Sequence, residues 1–584
     1  MIKITISKEI NSKIGYTIIP LLLTNLDSET LFKYVSRYTY IPESYNMLLE
    51  QIEKNMKYNN LNMTSFTIEK NNSSRTILNK KTKSKPKLSS KTKLSSKTKL
   101  SSKTKLSSKI HQIFIIAINN RSYNNSKYNE LLEIARITGN AIFNTLKSNQ
   151  IKSINIIDTI DGNYVNDKAS DNTKIQSLTN SISGNTKFIE AMIEGLCLSS
   201  YKFLKYKTDK ALTNEKDNFI LSNVNVVIPK YWKTVHNNEI SSRFIDLQNQ
   251  IKSVFLARDL INEPANKAKS EEFINIIKKT IEDNKLPITI EILNKTDLEK
   301  MGMGLILSVG SGSSVENEPR VLIMKYNGSR DGSRDGSREG NKNPEYILLG
   351  KGITFDTGGL DIKGSHSIYE MKTDMSGAAT VASFLVGYAM NKGPKCIYTI
   401  CPFAENSIGP NSTKPSDVVK SYNGRTVEIA DTDAEGRLIL ADCLAYVVDK
   451  YPEATIIDFA TLTGQQEKLS CKLFSNILSV NSQKEVEKLI ASSKEINELL
   501  VELPILEKQI KNLESYVADI KNVSFTCSAD IIMSSLFMRQ FVKKNTKWIH
   551  IDIAGPSYKA NDAIKYASPE ASGVGVRLLF AYFD

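Results

Sequence analysis

The sequence predicts an α/β protein of two α/β domains, the C-terminal one with a mixed, mostly parallel central sheet flanked by helices. Three observations carry this expectation. At 584 residues the chain exceeds what one ordinary core supports. Its hydrophobic content of 40% suits well-buried globular domains and disfavours a disordered chain. Beyond about residue 263, short β-rich apolar runs alternate with longer apolar stretches of helical length, the pattern of helices packed on a parallel sheet.

In chain order, residues 1–240 mix short strands (TIIPLLL, IFIIAI, INIID, NVNVVI) with helical stretches such as NELLEIARITGNAIFNTLK. They form an N-terminal domain with no recognisable catalytic constellation. Residues 241–262, SSRFIDLQNQIKSVFLARDLIN, place apolar side chains at helical spacing and stop before Glu263-Pro264, which reads as a connecting helix. The second domain is then 263–584. Its strands are ITIEIL (288–293), VLIMKY (321–326), YILLGKGI (346–353), KCIYTICPF (395–403), TIIDFATL (455–462) and WIHIDIAG (548–555). Its helices are 376–390, 435–451 and 530–543. Ligands of such sheets bind at the carboxyl ends of the strands.

Net charge is +14, which at first suggests a nucleic-acid partner. Twelve lysines and no acid lie within residues 80–109, however, and without them the rest of the chain carries only +2. This tract contains a KLSSKT repeat with no period of 2 or 3.6, so it reads as a disordered insertion into the N-terminal domain. Any contact with nucleic acid or an anionic membrane is expected through this tract alone. A second low-complexity insertion, 328–342 with GSRDGSRDGSREG, lengthens a connection between two strands, and closure entropy makes that cheap. The six cysteines are scattered without a CxxC pair, the usage of a reducing compartment. No stretch reaches transmembrane length and the N-terminus has no uninterrupted apolar core, so a soluble, cytoplasmic protein is expected.

The chemistry concentrates in two segments, GKGITFDTGGLDIKG (350–364, with MKTDM at 371–375) and DTDAEGRL (431–438). They supply four carboxylates (Asp356, Asp374, Asp433, Glu435), two lysines (Lys351, Lys363) and Arg437. Two divalent ions about 3.5–4 Å apart activate water, polarise a carbonyl and stabilise the oxyanion, which is what peptide hydrolysis requires. Carboxylates are suited to hold them. Asp433 and Glu435, two residues apart, share a face if that loop is extended. Lys351 can coordinate only as a neutral amine, and a neighbouring cation depresses its pKa. Lys363 would stay charged as an electrophile, and Arg437 has the fork geometry for a carboxylate or carbonate. Taken singly, each residue has a plainer reading: a loop Asp is a turn former, and a lysine between glycines is exposed. The four histidines are isolated and form no HExxH, and no GxSxG surrounds a serine, so histidine-zinc and acyl-enzyme mechanisms are disfavoured.

At these residues the sequence closely resembles the leucyl aminopeptidases, the cytosol aminopeptidase family of dinuclear metallopeptidases. The resemblance runs through GKGITFDTGG, MKTDMSGAA, SDVVKSYNGRTVEI, DTDAEGRL, DFATLTG, WIHIDIAGP and ASGVGVR, in the family's order, and spans roughly 250–584. It implies that Lys351, Asp356, Asp374, Asp433 and Glu435 are metal ligands, with Asp356 and Glu435 bridging two ions, Zn²⁺ or Mn²⁺. It also implies Lys363 and Arg437 as the catalytic pair, with a bicarbonate on Arg437 as general base. Met371 would line the pocket for the first side chain, and the backbone of Thr461, Leu462 and Thr463 would hold the peptide. The products implied are leucine-like N-terminal residues, and the assembly a homohexamer. Two departures stand out. Asp431 replaces the family's Asn and adds a charge beside the ligands. Asp530 and Ile531 replace a Gly-Ala pair and are expected to shrink or polarise the first-residue pocket. The competing expectations are a catalytically reduced scaffold and a nucleic-acid-binding paralogue on the same fold.

Overall fold

The computed structural model describes residues 2–7, 16–23, 61–68, 78–79, 111–119, 128–157, 187–208, 219–227, 237–329 and 343–584. The lysine tract and nearly all of the 328–342 insertion lie outside the described residues. The chain divides into two compact units. The first comprises Met1–Leu131, Ala141–Glu190 and Lys207–Phe244; the second, Leu132–Asn140, Ala191–Tyr206 and Ile245–Asp584. No helix of the described residues is long and apolar enough to cross a membrane.

The first unit carries a seven-stranded sheet of β1 (Lys3–Ser7), β2 (Tyr16–Leu23), β3 (Leu61–Ile68), β4 (Leu78–Asn79), β5 (His111–Asn119), β6 (Ser153–Ile157) and β7 (Asn223–Val227). Their order is β1-β7-β6-β2-β5-β3-β4. Pairing is parallel from β1 through β5, and β3 runs antiparallel to both β5 and β4.

The second unit is organised by a nine-stranded sheet: β8 (Ile288–Leu293), β9 (Arg320–Tyr326), β10 (Tyr346–Gly350), β11 (Gly352–Asp356), β12 (Ile397–Asn406), β15 (Thr455–Ala460), β16 (Phe474–Val480), β17 (Leu499–Glu502) and β19 (Trp548–Asp552). The strands β13 (Val418–Lys420), β14 (Thr426–Glu428) and β18 (Ile520–Lys521) make a small separate sheet. The main order is β17-β16-β19-β15-β10-β12-β9-β8, with β11 beside β12. The central strands β19, β15, β10, β12 and β11 pair in parallel, while β9 and β8 on one side and the β16–β19 contact on the other are antiparallel.

Why the central strands read as unbroken apolar runs is now clear: both faces are buried. Alternate residues go to opposite sides. Leu348, Ile457 and Ile549 join a core with the helices Ser376–Met390 and Val576–Phe583, whereas Ile347, Leu349 and Ile456 join a second core with Glu435–Lys450 and Asp530–Arg539. The order also creates a switch point. From β10 the chain passes to β11 and β12 on one side, then returns to β15 on the other, leaving a crevice at the carboxyl ends of these strands.

One local expectation fails. YILLGKGI is not a single strand; it breaks at Lys351. There the backbone N–H makes the last ladder bond to β15, donating to Phe459 O at 3.0 Å, but the carbonyl accepts from Ala378 N at 2.9 Å, so the chain leaves the β10 ladder and steps sideways into β11. That step turns Lys351 into the crevice.

Candidate metal centre

Each sequence-predicted ligand sits at the edge of this crevice. Lys351 follows β10, Asp356 ends β11, and Thr461–Thr463 follow β15. Asp374 lies two residues before the helix Ser376–Met390, and Glu435 is the first residue of Glu435–Lys450. Helix N-termini carry partial positive charge, which suits carboxylates there.

Lys351 is buried, and its Nζ lies 2.8 Å from both Asp374 oxygens, 2.9 Å from Glu435 Oε1 and 2.9 Å from the Thr461 carbonyl. Lys363 Nζ pairs with Asp356 Oδ2 at 2.8 Å and, more tightly, with Asp433 Oδ1. Carboxylate oxygens of Asp356, Asp374 and Glu435 lie within 4.8 Å of one another. Asp433 stands apart from that trio, joined to it through Lys363. Its loop is a turn rather than extended chain, so Asp433 and Glu435 do not simply share a strand face.

Supporting contacts hold these groups in place. Asn406 Nδ2 and the Gly358 N–H donate to Asp356 Oδ1 at 2.8 and 2.9 Å, and Thr461 Oγ1 donates to Asp374 Oδ1 at 2.8 Å. Gly358 and Gly359 have φ of +88° and +68°, a left-handed pair that reverses the chain between Asp356 and Lys363. Asp431 accepts from the Asp433 N–H at 2.8 Å, a turn contact that Asn makes equally well through its carbonyl oxygen. The replacement therefore keeps the ligand loop's shape while adding charge.

Four carboxylates facing two ammonium groups leave a surplus of negative charge. Burial, then repulsion from Glu435, raises Asp356; burial raises Asp374 well above the carboxylate range; burial with Asp356 and Glu435 pushes Asp433 up to about 7. For Glu435 burial acts in the same sense, but Lys351 and Lys363 outweigh it and keep it ionised. Burial opposes the charge on both lysines, and the surrounding carboxylates overcome it, holding both pKa values above the ordinary lysine value. Glu435 Oε2 is buried with no hydrogen-bond partner among the described residues. An orphaned carboxylate oxygen beside surplus negative charge fits a divalent cation.

Gly436 marks how closely this is packed. A Cβ there would stand 2.4 Å from Lys351 Cε and 2.6 Å from Nζ. Gly436→Ala is therefore expected to push Lys351 off Asp374 and Glu435 and to cut kcat/KM about 10²-fold, the scale of a 1 Å misplacement. Steady-state rates together with bound metal check this; unchanged values of both would show that Lys351 tolerates displacement.

The remaining predicted residues are placed as follows. Met371 is half-buried in the short turn Met371–Thr373 just before Asp374. The backbone of 461–463 is partly committed: Thr461 O accepts from Lys351, and the Leu462 N–H donates to Asp552 Oδ1 at 3.2 Å. Asp552 also accepts from Thr463 Oγ1 at 2.8 Å. Arg437 is buried, with Nη1 on the Asn522 carbonyl at 3.0 Å and Nη2 on Asp530 Oδ1 at 2.7 Å. The residues present do not fit a bicarbonate on Arg437, because the Asp530 carboxylate is already there. Asp530 thus turns towards Arg437, while Ile531 is buried in the helix that Asp530 begins. Asn406, Asp552 and Asn522 were not singled out from the sequence. Asp552 lies in WIHIDIAG, which reads as a strand and as part of the family resemblance without a role for Asp552 itself.

The sequence model of the cytosol aminopeptidase family's catalytic domain matches residues 255–580, more than half of the chain. The chain belongs to the cytosol aminopeptidase family. It is 37% identical over 389 residues to a probable cytosol aminopeptidase of Wolbachia pipientis wMel, covering 66% of this chain and 72% of that one. It is 32% identical over 395 residues to the cytosol aminopeptidase of Rickettsia prowazekii (strain Madrid E), covering 67% and 74%. Among solved structures it resembles the bottromycin maturation enzyme BotP in complex with Mn, with a TM-score of 0.64 and 24% identity over 81% of this chain and 90% of that one. At that identity the likeness speaks for the fold, and the mixed α/β architecture is the one expected from sequence. Membership of the cytosol aminopeptidases makes this chain a peptidase of the aminopeptidase class.

Proposed function

We propose that the chain is a metal-dependent aminopeptidase that removes N-terminal, leucine-like residues from peptides at a centre of two divalent ions, Zn²⁺ or Mn²⁺. The observation that carries this is the trio Asp356, Asp374 and Glu435, buried with mutually adjacent oxygens and an unpartnered Glu435 Oε2, beside two lysines. A donor set of carboxylate oxygens with one amine suits Mn²⁺ and accommodates Zn²⁺.

Lys351, Asp356, Asp374, Asp433 and Glu435 would hold the ions. The pair would supply a nucleophilic water at neutral pH and polarise the scissile carbonyl. Lys351 would join as a neutral amine, giving up its proton as an ion enters. Lys363 keeps its charge and aims it at the developing oxyanion. Arg437, the second cation of the catalytic pair, is fixed by Asn522 and Asp530. Met371 would border the first side chain, and the 461–463 segment, steadied by Asp552, would align the peptide backbone. A cytoplasmic homohexamer is the assembly and location proposed with this activity.

Chelation followed by reconstitution tests the reading on a panel of aminoacyl-amides. Activity should vanish on chelation, return with Mn²⁺ or Zn²⁺, favour leucine-like residues and disappear when the substrate's amino group is acetylated. Full turnover by metal-free protein, or equal cleavage of acetylated substrate, would overturn it.

A further inference from the structure

The Arg437 guanidinium is enclosed by the protein, with its side chain 3% exposed. One nitrogen is spent on the Asn522 carbonyl, and Nε is buried with no hydrogen-bond partner among the described residues. Among the described residues its one ion pair is with the Asp530 carboxylate, at 2.7 Å. Asp530 is itself 38% exposed, so the pair has one wet side. It opens the helix Asp530–Arg539, and the turn before it is secured twice: the Asp530 N–H donates to Ser528 O at 2.9 Å, and Gln465 Nε2 donates to the same carbonyl. Gln465 belongs to the segment following Thr463, so this turn is tied to the same loop that carries Thr461 and its contacts with Lys351 and Asp374.

We propose that Asp530 is the resident anion of Arg437, a positioning residue that makes this peptidase independent of any free small oxyanion such as bicarbonate. The proposal rests on the reading of Arg437 as part of the catalytic site. A tethered carboxylate has already lost most of the freedom that a dissolved anion must surrender on binding, so it occupies the guanidinium at high effective concentration. Arg437 stays oriented, and dissolved anion has no open fork to enter. With the Asp530 carboxylate removed, the wet side gives a small oxyanion access to a buried, uncompensated cation.

The test uses the full-length, metal-loaded chain in carbon dioxide-depleted buffer. Bicarbonate is titrated against a chloride control of equal ionic strength, with melting temperature and kcat both read. The wild type should respond in neither. Asp530→Gly should lose about tenfold in kcat, the scale of one charge-assisted hydrogen bond. Bicarbonate should restore the rate saturably and raise the melting temperature over the same concentrations. Asp530→Asn, which keeps the size and loses the charge, should behave alike and guards against a folding defect of the glycine variant. Adding Arg437→Met should remove both responses. A wild type that depends on bicarbonate, or Asp530 variants indifferent to it in both readouts, overturns the proposal. If no form hydrolyses any peptide, the aminopeptidase reading fails, and the melting titration still decides whether Asp530 blocks the anion.

Discussion

Glu435→Ala is expected to lower kcat by more than about 10³-fold, because losing a single oxyanion donor already costs about 10²–10³-fold and this carboxylate organises the whole centre. Glu435 touches Lys351 through Oε1 and presents Oε2 without a partner. Its removal takes one of four carboxylates from the cluster and should release metal. Folding should survive, for two reasons. The residue begins a helix whose other side chains make the core contacts, and deleting one of several crowded negative charges relieves repulsion. Bound metal measured alongside circular dichroism separates the two effects. Metal at wild-type stoichiometry in the inactive variant would show that Glu435 does not hold the ions.

The largest expected stability effect lies elsewhere in the second unit. Glu194 is buried between two arginines, accepting from Arg577 Nε at 2.7 Å and Arg136 Nε at 2.6 Å. Arg577 also donates to Ile496 O at 2.8 Å and to Glu498 at 3.3 Å, linking the C-terminal helix to the rest of the network. Glu194→Ala leaves both guanidinium groups short of their shared counter-charge, and breaking such a buried pair typically costs about 3–5 kcal/mol. Although burial disfavours its charge, Arg577 and Arg136 hold the Glu194 pKa down at about 2. With the folded pKa below the unfolded value, the stabilisation is complete above about pH 4.3 and is lost as pH falls towards the folded value. Urea unfolding of wild type and Glu194→Ala should therefore differ most at neutral pH and converge in acid. A constant difference down to pH 2 would contradict the ionic origin.

Much of the catalytic unit was legible because its signals are local. Buried parallel strands leave apolar runs, and the helices Ser376–Met390 and Glu435–Lys450 occur where the apolar stretches were read. Lys351, Asp356, Lys363 and Asp374 lie within one short span of chain, so their convergence with the 433–437 segment needed only one long-range assumption. The less legible features depend on long-range pairing. The break at Lys351 is set by Ala378, whose N–H donates to the Lys351 carbonyl, and the Arg437–Asp530 pair spans 93 positions. From the sequence, Asp530 is expected only to shrink or polarise the first-residue pocket, because nothing near it in the chain names Arg437. Asn406 and Asp552 escaped for the same reason: each ends a strand and acts on residues brought up by another. The strand Phe474–Val480 and helix Gln483–Ile496 were not singled out, the former because Ser475, Asn476 and Ser479 interrupt its apolar residues.

The proposed roles of Lys351 as a metal ligand and Lys363 as a charge for the oxyanion are separable, with Lys351 buried against Asp374 and Glu435 and Lys363 half-buried against Asp356 and Asp433. Metal content and kcat measured side by side on Lys351→Met and Lys363→Met test that separation most directly. Lys351→Met should bind one ion more weakly and need more metal for activity. Lys363→Met should keep both ions and lose about 10²–10³-fold in kcat. Equal loss of metal from the two variants, or an undiminished rate in Lys363→Met, would contradict the account.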